Sequence, residues 1–275
     1  MAVLPKVLGL TALLAVLLSF NYGALTLSNA ALQTPAQLIL VALADTLLLS
    51  YFVVSSRWTG WKEWGAIFSI LYGVSYVLTA LEWVYLGSLL SASTTVALLL
   101  NGAITSGVFA AALVRVFDTK AVAVDRPGGR LDMRRIEWAW KIVLAGGAFL
   151  VLFILFGFVV YRPLGNLLDP VAMAKEQSIA SSAALLVFPV EFIRGALLVL
   201  LAVPAVVALP YGWKETAMVV GLLMAVPVSG DLFLTTSMTF GLQVAHFAEV
   251  FGEVLVFGLL FVRILEVHSR LPSLA

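Results

Sequence analysis

The chain has 275 residues, of which 62% are hydrophobic and 11% are charged, with a formal net charge of +1 and no cysteine. Soluble domains carry about a quarter charged residues, so this composition excludes a water-soluble fold. The small net charge excludes the broad basic surface of a nucleic-acid-binding protein. The absence of cysteine excludes disulfides, thiolate metal ligands and cysteine nucleophiles. We therefore predict an integral protein of the cell membrane that is embedded in a lipid bilayer.

Apolar runs follow one another along the whole chain and predict an all-α, polytopic transmembrane helical bundle of about eight spans. The runs cover residues 4–27, 36–56, 64–87, 92–116, 138–161, 183–208, 216–229 and 241–265. Most of them reach the roughly 20 residues that a helix needs to cross the hydrocarbon core. The seventh run is short and contains Pro227, so we predict a tilted, broken or partly re-entrant segment there.

The basic residues predict the orientation of the bundle. If the N-terminus is cytoplasmic, thirteen basic residues fall on the cytoplasmic side, whereas the other side receives Arg162 and Lys175. An excess of Lys and Arg marks cytoplasmic loops. We therefore predict that both termini are cytoplasmic.

The long segment 118–136 predicts a cytoplasmic linker between a first four-helix half, 1–117, and a second half, 137–275. The sequence Gly-Trp-Lys-Glu at 60–63 recurs at 212–215, so the two copies are 152 residues apart. Each copy precedes the third helix of its half, which favours a duplication with an axis along the membrane normal. The alternative is that each copy is an interfacial anchor, with Trp at the headgroups and Lys extended toward water.

Polar and ionisable residues within the spans are the candidate functional residues, because such residues are costly in a membrane. Those in the predicted extracytoplasmic half of the bilayer are Glu82, Asn101, Glu191, Arg194, His246, Glu249 and Glu253. Asp45 lies apart from this group, near the middle of the second run. Asp231 follows Gly230 after the seventh run, and we interpret it as a turn or cap residue.

His246, Glu249 and Glu253 are spaced i, i+3 and i+7, which places them on one face of the last helix. Two such carboxylates in a low dielectric require a proton or a cation between them. Glu191 and Arg194 are at i and i+3 and can pair. This pattern predicts binding, and transport, of a small cationic or proton-linked solute. Glu249 and Glu253 would be its ligands, His246 would exchange a proton, and Glu191 with Arg194 would gate or balance charge.

Two other functions fit the same residues. One is a metal-assisted hydrolase or transferase acting on a lipid-linked substrate, in which His246 and Glu249 hold a divalent metal ion. The other is a non-catalytic subunit of a membrane complex or oligomer, whose buried charges pair with a partner. A bis-histidine haem is excluded, because the second histidine, His268, lies in the C-terminal tail. Structural interpretations also remain open, namely a solvated Glu82 at the headgroups and a Glu191–Arg194 staple.

Four stretches of the chain resemble an uncharacterised family of bacterial multi-pass membrane proteins. They are Ser56–Trp61, Leu81-Glu82, Phe188–Leu200 with its Arg194-Gly195, and Ala245–Glu249. The similarity implies the same multi-pass fold over most of the chain and implies no activity.

Overall fold

The structure is a computed structural model that describes residues 3–25, 34–85, 92–117, 134–234 and 238–265. These residues are almost entirely helical, and no strand occurs among them. The predicted all-α bundle is therefore confirmed. Most of the predicted linker, residues 118–133, lies outside the described residues.

The described part of the first half contains five helices, with a π-helical segment, Gly73–Val77, between the third and the fourth. The helices are α1 Val3–Leu25, α2 Pro35–Ser55, α3 Gly60–Tyr72, α4 Leu78–Tyr85 and α5 Ala92–Phe117. The start of α2 is fixed by a capping box. The backbone N–H of Gln37 donates to Thr34 Oγ1, and the backbone N–H of Thr34 donates to Gln37 Oε1.

The second half, over residues 134–234 and 238–265, also contains five helices, with a π-helical segment, Gly157–Tyr161, after the first and a 3₁₀ segment, Asp231–Leu234, after the fourth. The helices are α6 Arg135–Phe156, α7 Arg162–Leu168, α8 Pro170–Ala208, α9 Trp213–Gly230 and α10 Phe240–Ile264. α6 begins inside the predicted linker, because Glu137 accepts hydrogen bonds from both the backbone and the side chain of Arg134. α8 is continuous over 39 residues and extends well before the predicted apolar run.

Among the described residues, seven segments are long and apolar enough to cross a membrane, which makes the chain a multi-pass membrane protein. They are Val3–Phe20, Pro35–Ser55, Gly60–Glu82, Ser93–Phe117, Arg135–Leu168, Leu186–Ala208 and Trp213–Leu234. The eighth predicted run forms α10, which is not one of these seven. Its 25 residues give a length of about 37 Å, which is enough to cross a bilayer. Because α10 is not among the seven segments, a crossing by α10 stays a prediction.

The predicted seventh span is the most buried of the seven segments. α9 packs closely along α10, where a Cβ built on Gly258 would lie 2.3 Å from the Cα atom of Gly221. α9 also contacts α2 and α8. Because protein rather than lipid surrounds this helix, its short length and Pro227 are tolerated inside the bundle.

The packing of the two halves follows a common pattern. In the first half α1 contacts α2 and α5, and α3 contacts α5; in the second half α6 contacts α8 and α10, and α9 contacts α10. Between the halves, α3 contacts α8 and α9 contacts α2. The offset of 152 residues relates these two contacts to each other. A duplication predicts this pattern of helix contacts. The duplication itself stays a prediction.

Candidate functional site

The centre of the site is the guanidinium of Arg194, which lies between two carboxylates. Its Nη1 atom is 3.6 Å from Oε1 of Glu191, one turn earlier on α8, and 3.5 Å from Oε2 of Glu82 on α4. Glu191 is fully buried and the Glu82 side chain is 23% exposed. The predicted Glu191–Arg194 pair is therefore present. Glu82 pairs with Arg194 while its side chain remains partly exposed, so its solvation at the headgroups stays a prediction.

The acidic face of α10 completes the cluster. Glu249 and Glu253 are both buried, and the charges that act on Glu253 are those of Arg194, Glu191, Glu249 and Glu82. Oε1 of Glu253 has no hydrogen-bond partner among the described residues. We call these residues, together with His246, the Arg194 cluster.

His246 occupies the edge of the Arg194 cluster. Its Nε2 atom is 3.8 Å from Oε2 of Glu249, and its side chain is 19% exposed. The imidazole packs against the ring of Tyr161, with 5.2 Å between the ring centroids. Tyr161 therefore holds the imidazole beside the carboxylate of Glu249.

The π-helical segment Gly157–Tyr161 brings two residues to the site that the sequence did not single out. A Cβ built on Gly157 would lie 3.4 Å from Oε1 of Glu249, so the glycine borders the carboxylate, and Tyr161 ends the same segment. π-helical segments occur frequently at functional sites. In the sequence, only the glycine and the aromatic residues at the end of the fifth apolar run could have indicated these two residues.

Close packing of α6 against α8 positions Arg194. A Cβ built on Gly195 would lie 2.4 Å from Cβ of Phe149, and one built on Gly146 would lie 2.8 Å from the backbone oxygen of Phe192. Small residues at a crossing allow two membrane helices to approach closely. Arg194 is thus held on a rigid helix pair beside α4.

Asn101 does not join the Arg194 cluster by any described contact. It is half-buried on α5, and its side chain forms no hydrogen bond with the described residues. The neighbouring Gly102 packs on the ring of Tyr76, and α5 packs mainly on α1 and α3. A role of Asn101 in the site stays a prediction.

The described residues contain no group of three or more His, Cys, Asp or Glu side chains arranged to hold a metal ion. His246 and Glu249 therefore lack a third ligand in this part of the chain, and the predicted metal site is not supported there. Asp45 and Asp231, set aside in the sequence, lie on segments that pack together, since a Cβ built on Gly230 would lie 3.2 Å from Cγ1 of Val41. They lie on α2 and at the end of α9, apart from the Arg194 cluster.

Comparison of this chain with protein-family models, with curated proteins and with solved structures gives no match in any of the three. The resemblance to a bacterial multi-pass family accordingly stays a prediction.

Proposed function

We propose that this multi-pass membrane protein binds and transports a small cationic or proton-linked solute at the Arg194 cluster. The observation that carries the proposal is the buried carboxylate of Glu253, whose Oε1 has no hydrogen-bond partner among the described residues. A buried carboxylate in this environment is favourable only when a proton or a cation neutralises it.

The charge balance of the cluster supports a cationic occupant. Its carboxylates are Glu82, Glu191, Glu249 and Glu253, and its fixed positive charge is the guanidinium of Arg194. Full ionisation with a neutral imidazole would leave three negative charges in a low dielectric. Protons, a bound cation or both must offset this excess. A neutral or anionic solute would not offset this negative charge.

The exposure of the side chains supports access from one side. Glu82 and His246 are the partly exposed members of the cluster, whereas Glu191, Glu249 and Glu253 are buried. In the predicted topology both exposed members lie toward the extracytoplasmic surface. A solute entering from that side would meet His246 and Glu82 first and Glu253 last. His246 is suited to exchange protons on this route, because imidazole titrates near neutral pH.

The test uses the purified full chain in lipid nanodiscs, with thermal unfolding followed by tryptophan fluorescence. Chloride salts of Na⁺, guanidinium and choline are compared at constant ionic strength, over a range of pH. A bound cation raises the unfolding temperature, and saturation at 100 times Kd corresponds to about 2.7 kcal/mol of added stability. Glu253→Gln keeps the shape of the side chain and removes its charge, so it should fold and lose this response.

The matched control is Glu137→Gln, which changes a carboxylate of the exposed Arg134–Glu137 pair. At a fixed pH this variant should respond to cations as the parent does. If no cation and no change of pH affects the parent differently from Glu253→Gln, binding at this site is refuted.

Transport is tested with the cation that gives the largest shift. Proteoliposomes containing the parent should exchange that radiolabelled cation, or acidify when a proton is the occupant, and those containing Glu253→Gln should not. Equal rates in the two preparations would contradict transport through the Arg194 cluster.

A further inference from the structure

Two cationic side chains contact the same exposed indole ring where α9 begins and α10 ends. Trp213 is the first residue of α9, and the Nζ atom of Lys214 lies 5.7 Å from the centroid of its ring. The guanidinium carbon of Arg263, in the last turn of α10, lies 5.2 Å from the same centroid. All three side chains are exposed. One ligand at this surface can therefore reach both positive charges and the indole.

The described carboxylates do not neutralise these two cations. Neither Lys214 nor Arg263 forms a salt bridge with the described residues. The adjacent carboxylate belongs to Glu215, whose Oε2 atom would lie 2.9 Å from a Cβ built on Gly212. Glu215 therefore folds back toward the residue before α9. The two cations are complementary to a negatively charged group, with which Arg and Lys form charge-assisted hydrogen bonds.

Apolar surface continues from the two cations along both helices. Met218 follows Lys214 by one turn of α9 and is 47% exposed, and Leu260 precedes Arg263 by about one turn of α10 and is 42% exposed. α9 and α10 pack against each other, so these side chains belong to neighbouring helices of one surface. A pair of cations next to exposed apolar side chains matches a phospholipid, which has a charged headgroup joined to acyl chains.

The first Gly-Trp-Lys-Glu sequence lacks this arrangement. Trp61 corresponds to Trp213 and is 78% exposed, and no cation lies over its ring among the described residues. The residue that lies 152 positions before Arg263, at the offset between the two copies, is Ala111. The first copy therefore has the indole and one lysine without the arginine, and it provides an internal control.

We propose that Trp213, Lys214 and Arg263 bind the headgroup of an anionic phospholipid, whose acyl chains lie along Met218 and Leu260. The guanidinium matches two phosphate oxygens at once, and the ammonium adds a second point charge. The indole lies at the level of the headgroups, where Trp is enriched in membrane proteins. Its N–H forms no hydrogen bond with the described residues and can donate to the lipid.

Two cations at one headgroup favour a lipid with a net negative charge. A zwitterionic phospholipid carries its own ammonium beside the phosphate, so it gains less from Lys214 and Arg263. The bound lipid contacts both α9 and α10 and therefore stabilises their packing, because a ligand that binds the folded state raises its stability. This inference does not require the Arg194 cluster to bind a solute.

The test is a lipid titration of the purified full chain in micelles of a neutral detergent, with bound lipid counted by native mass spectrometry. Phosphatidylglycerol, phosphatidylcholine and inorganic phosphate are the three ligands. The parent should bind phosphatidylglycerol at least about fivefold more tightly than phosphatidylcholine. Lys214→Gln and Arg263→Gln should each weaken the binding of phosphatidylglycerol about fivefold, which is the usual contribution of one basic residue toward anionic lipid.

A further variant tests whether the indole holds the two cations together. Trp213→Leu should weaken the binding of phosphatidylglycerol although both charges remain. The matched controls are Lys62→Gln and Trp61→Leu in the first copy, which should bind this lipid as the parent does. Glu253→Gln should also bind it as the parent does, and this control separates the present inference from the proposed function.

Three results would overturn the proposal. The first is equal affinity of the parent for phosphatidylglycerol and phosphatidylcholine. The second is an equal loss of binding in Lys62→Gln and Lys214→Gln, since any exposed lysine would then be sufficient. The third is displacement of the lipid by inorganic phosphate at a similar concentration, since the apolar surface would then contribute nothing. Should Arg263→Gln fail to fold, Lys214→Gln and the titration of the parent still decide the question.

Discussion

Arg194 on α8 and Glu82 on α4 form an ion pair between the two predicted halves of the chain, with 3.5 Å between Nη1 and Oε2. The same guanidinium nitrogen is 3.6 Å from Glu191. The guanidinium of Arg194 therefore pairs with carboxylates from both halves. Its removal should affect the fold as well as the site.

Arg194→Ala should lower the free energy of unfolding by about 3–5 kcal/mol, because it leaves buried carboxylates without a counter-charge. Arg194→Lys should restore part of this loss, since it keeps the charge and loses the planar donor geometry. Unfolding in mixed micelles provides the measurement. Arg162→Ala is the control, because Arg162 is exposed and stacks on Phe158. An Arg194→Ala variant as stable as the parent would show that Arg194 does not balance the cluster.

Gly258→Ala should destabilise the packing of α9 on α10 by about 1–3 kcal/mol. The new Cβ would lie 2.3 Å from the Cα atom of Gly221, so the backbone of one helix has to move. Gly147→Ala is the matched helical control. No atom lies within 4 Å of its Cβ position, and a helical Gly→Ala change there should stabilise by up to about 1 kcal/mol. Unfolding temperatures that shift equally in the two variants would contradict the close approach.

Asp169 should make part of the stability dependent on pH. The Thr239 hydroxyl and the backbone N–H of Ala172 donate to this carboxylate, and these bonds lower the pKa of Asp169. Because the pKa is lowered in the folded state, the contribution is present above about pH 4, the usual aspartate range, and is lost as the pH falls through the lowered pKa.

Unfolding temperatures between about pH 6 and pH 3 test this contribution. Asp169→Asn should lose the pH-dependent part, and Thr239→Val should lose a portion of it, because it removes the hydroxyl donor alone. If Asp169→Asn keeps the acid dependence of the parent, another group is responsible.

The two Gly-Trp-Lys-Glu copies should differ in their effect on stability. Glu63 is 1% exposed and engaged in polar interactions, whereas Glu215 is exposed. Glu63→Ala should cost about 1–3 kcal/mol, because Glu63 is buried and the substitution removes its polar interactions. Glu215→Ala should change the unfolding temperature very little. Equal effects would indicate that both copies act only as surface anchors.

Topology reporters test the predicted orientation. A reporter fused after Gly129 and one fused at Ala275 should both report the cytoplasm, because basic residues concentrate on that side of the predicted spans. If the reporter at either position indicated the extracytoplasmic side, the predicted orientation would be reversed. The Arg194 cluster would then be reached from the opposite side of the membrane. The contacts within the cluster would be unchanged.

The sequence by itself determined the class of the protein and the features that belong to a single helix. Apolar runs gave helices close to the predicted places, because crossing a bilayer requires a long apolar segment. The pairing of Glu191 with Arg194 also followed from the sequence, since residues three apart lie on the same helix face. The starts of α6 at Arg135 and of α8 at Pro170 did not follow from the sequence, because polar caps extend a helix beyond its apolar part.

Only the tertiary structure decided which helices meet and at what rotation. It placed Glu82 on Arg194 and Gly157 beside Glu249, and it brought Gly230, at the end of α9, against Val41 of α2. Side-chain spacing along one helix does not contain this information, because helix rotation and crossing are set by packing between residues far apart in the chain. Glycines and π-helical segments made these contacts possible, and their effect depends on the partner helix that packs against them.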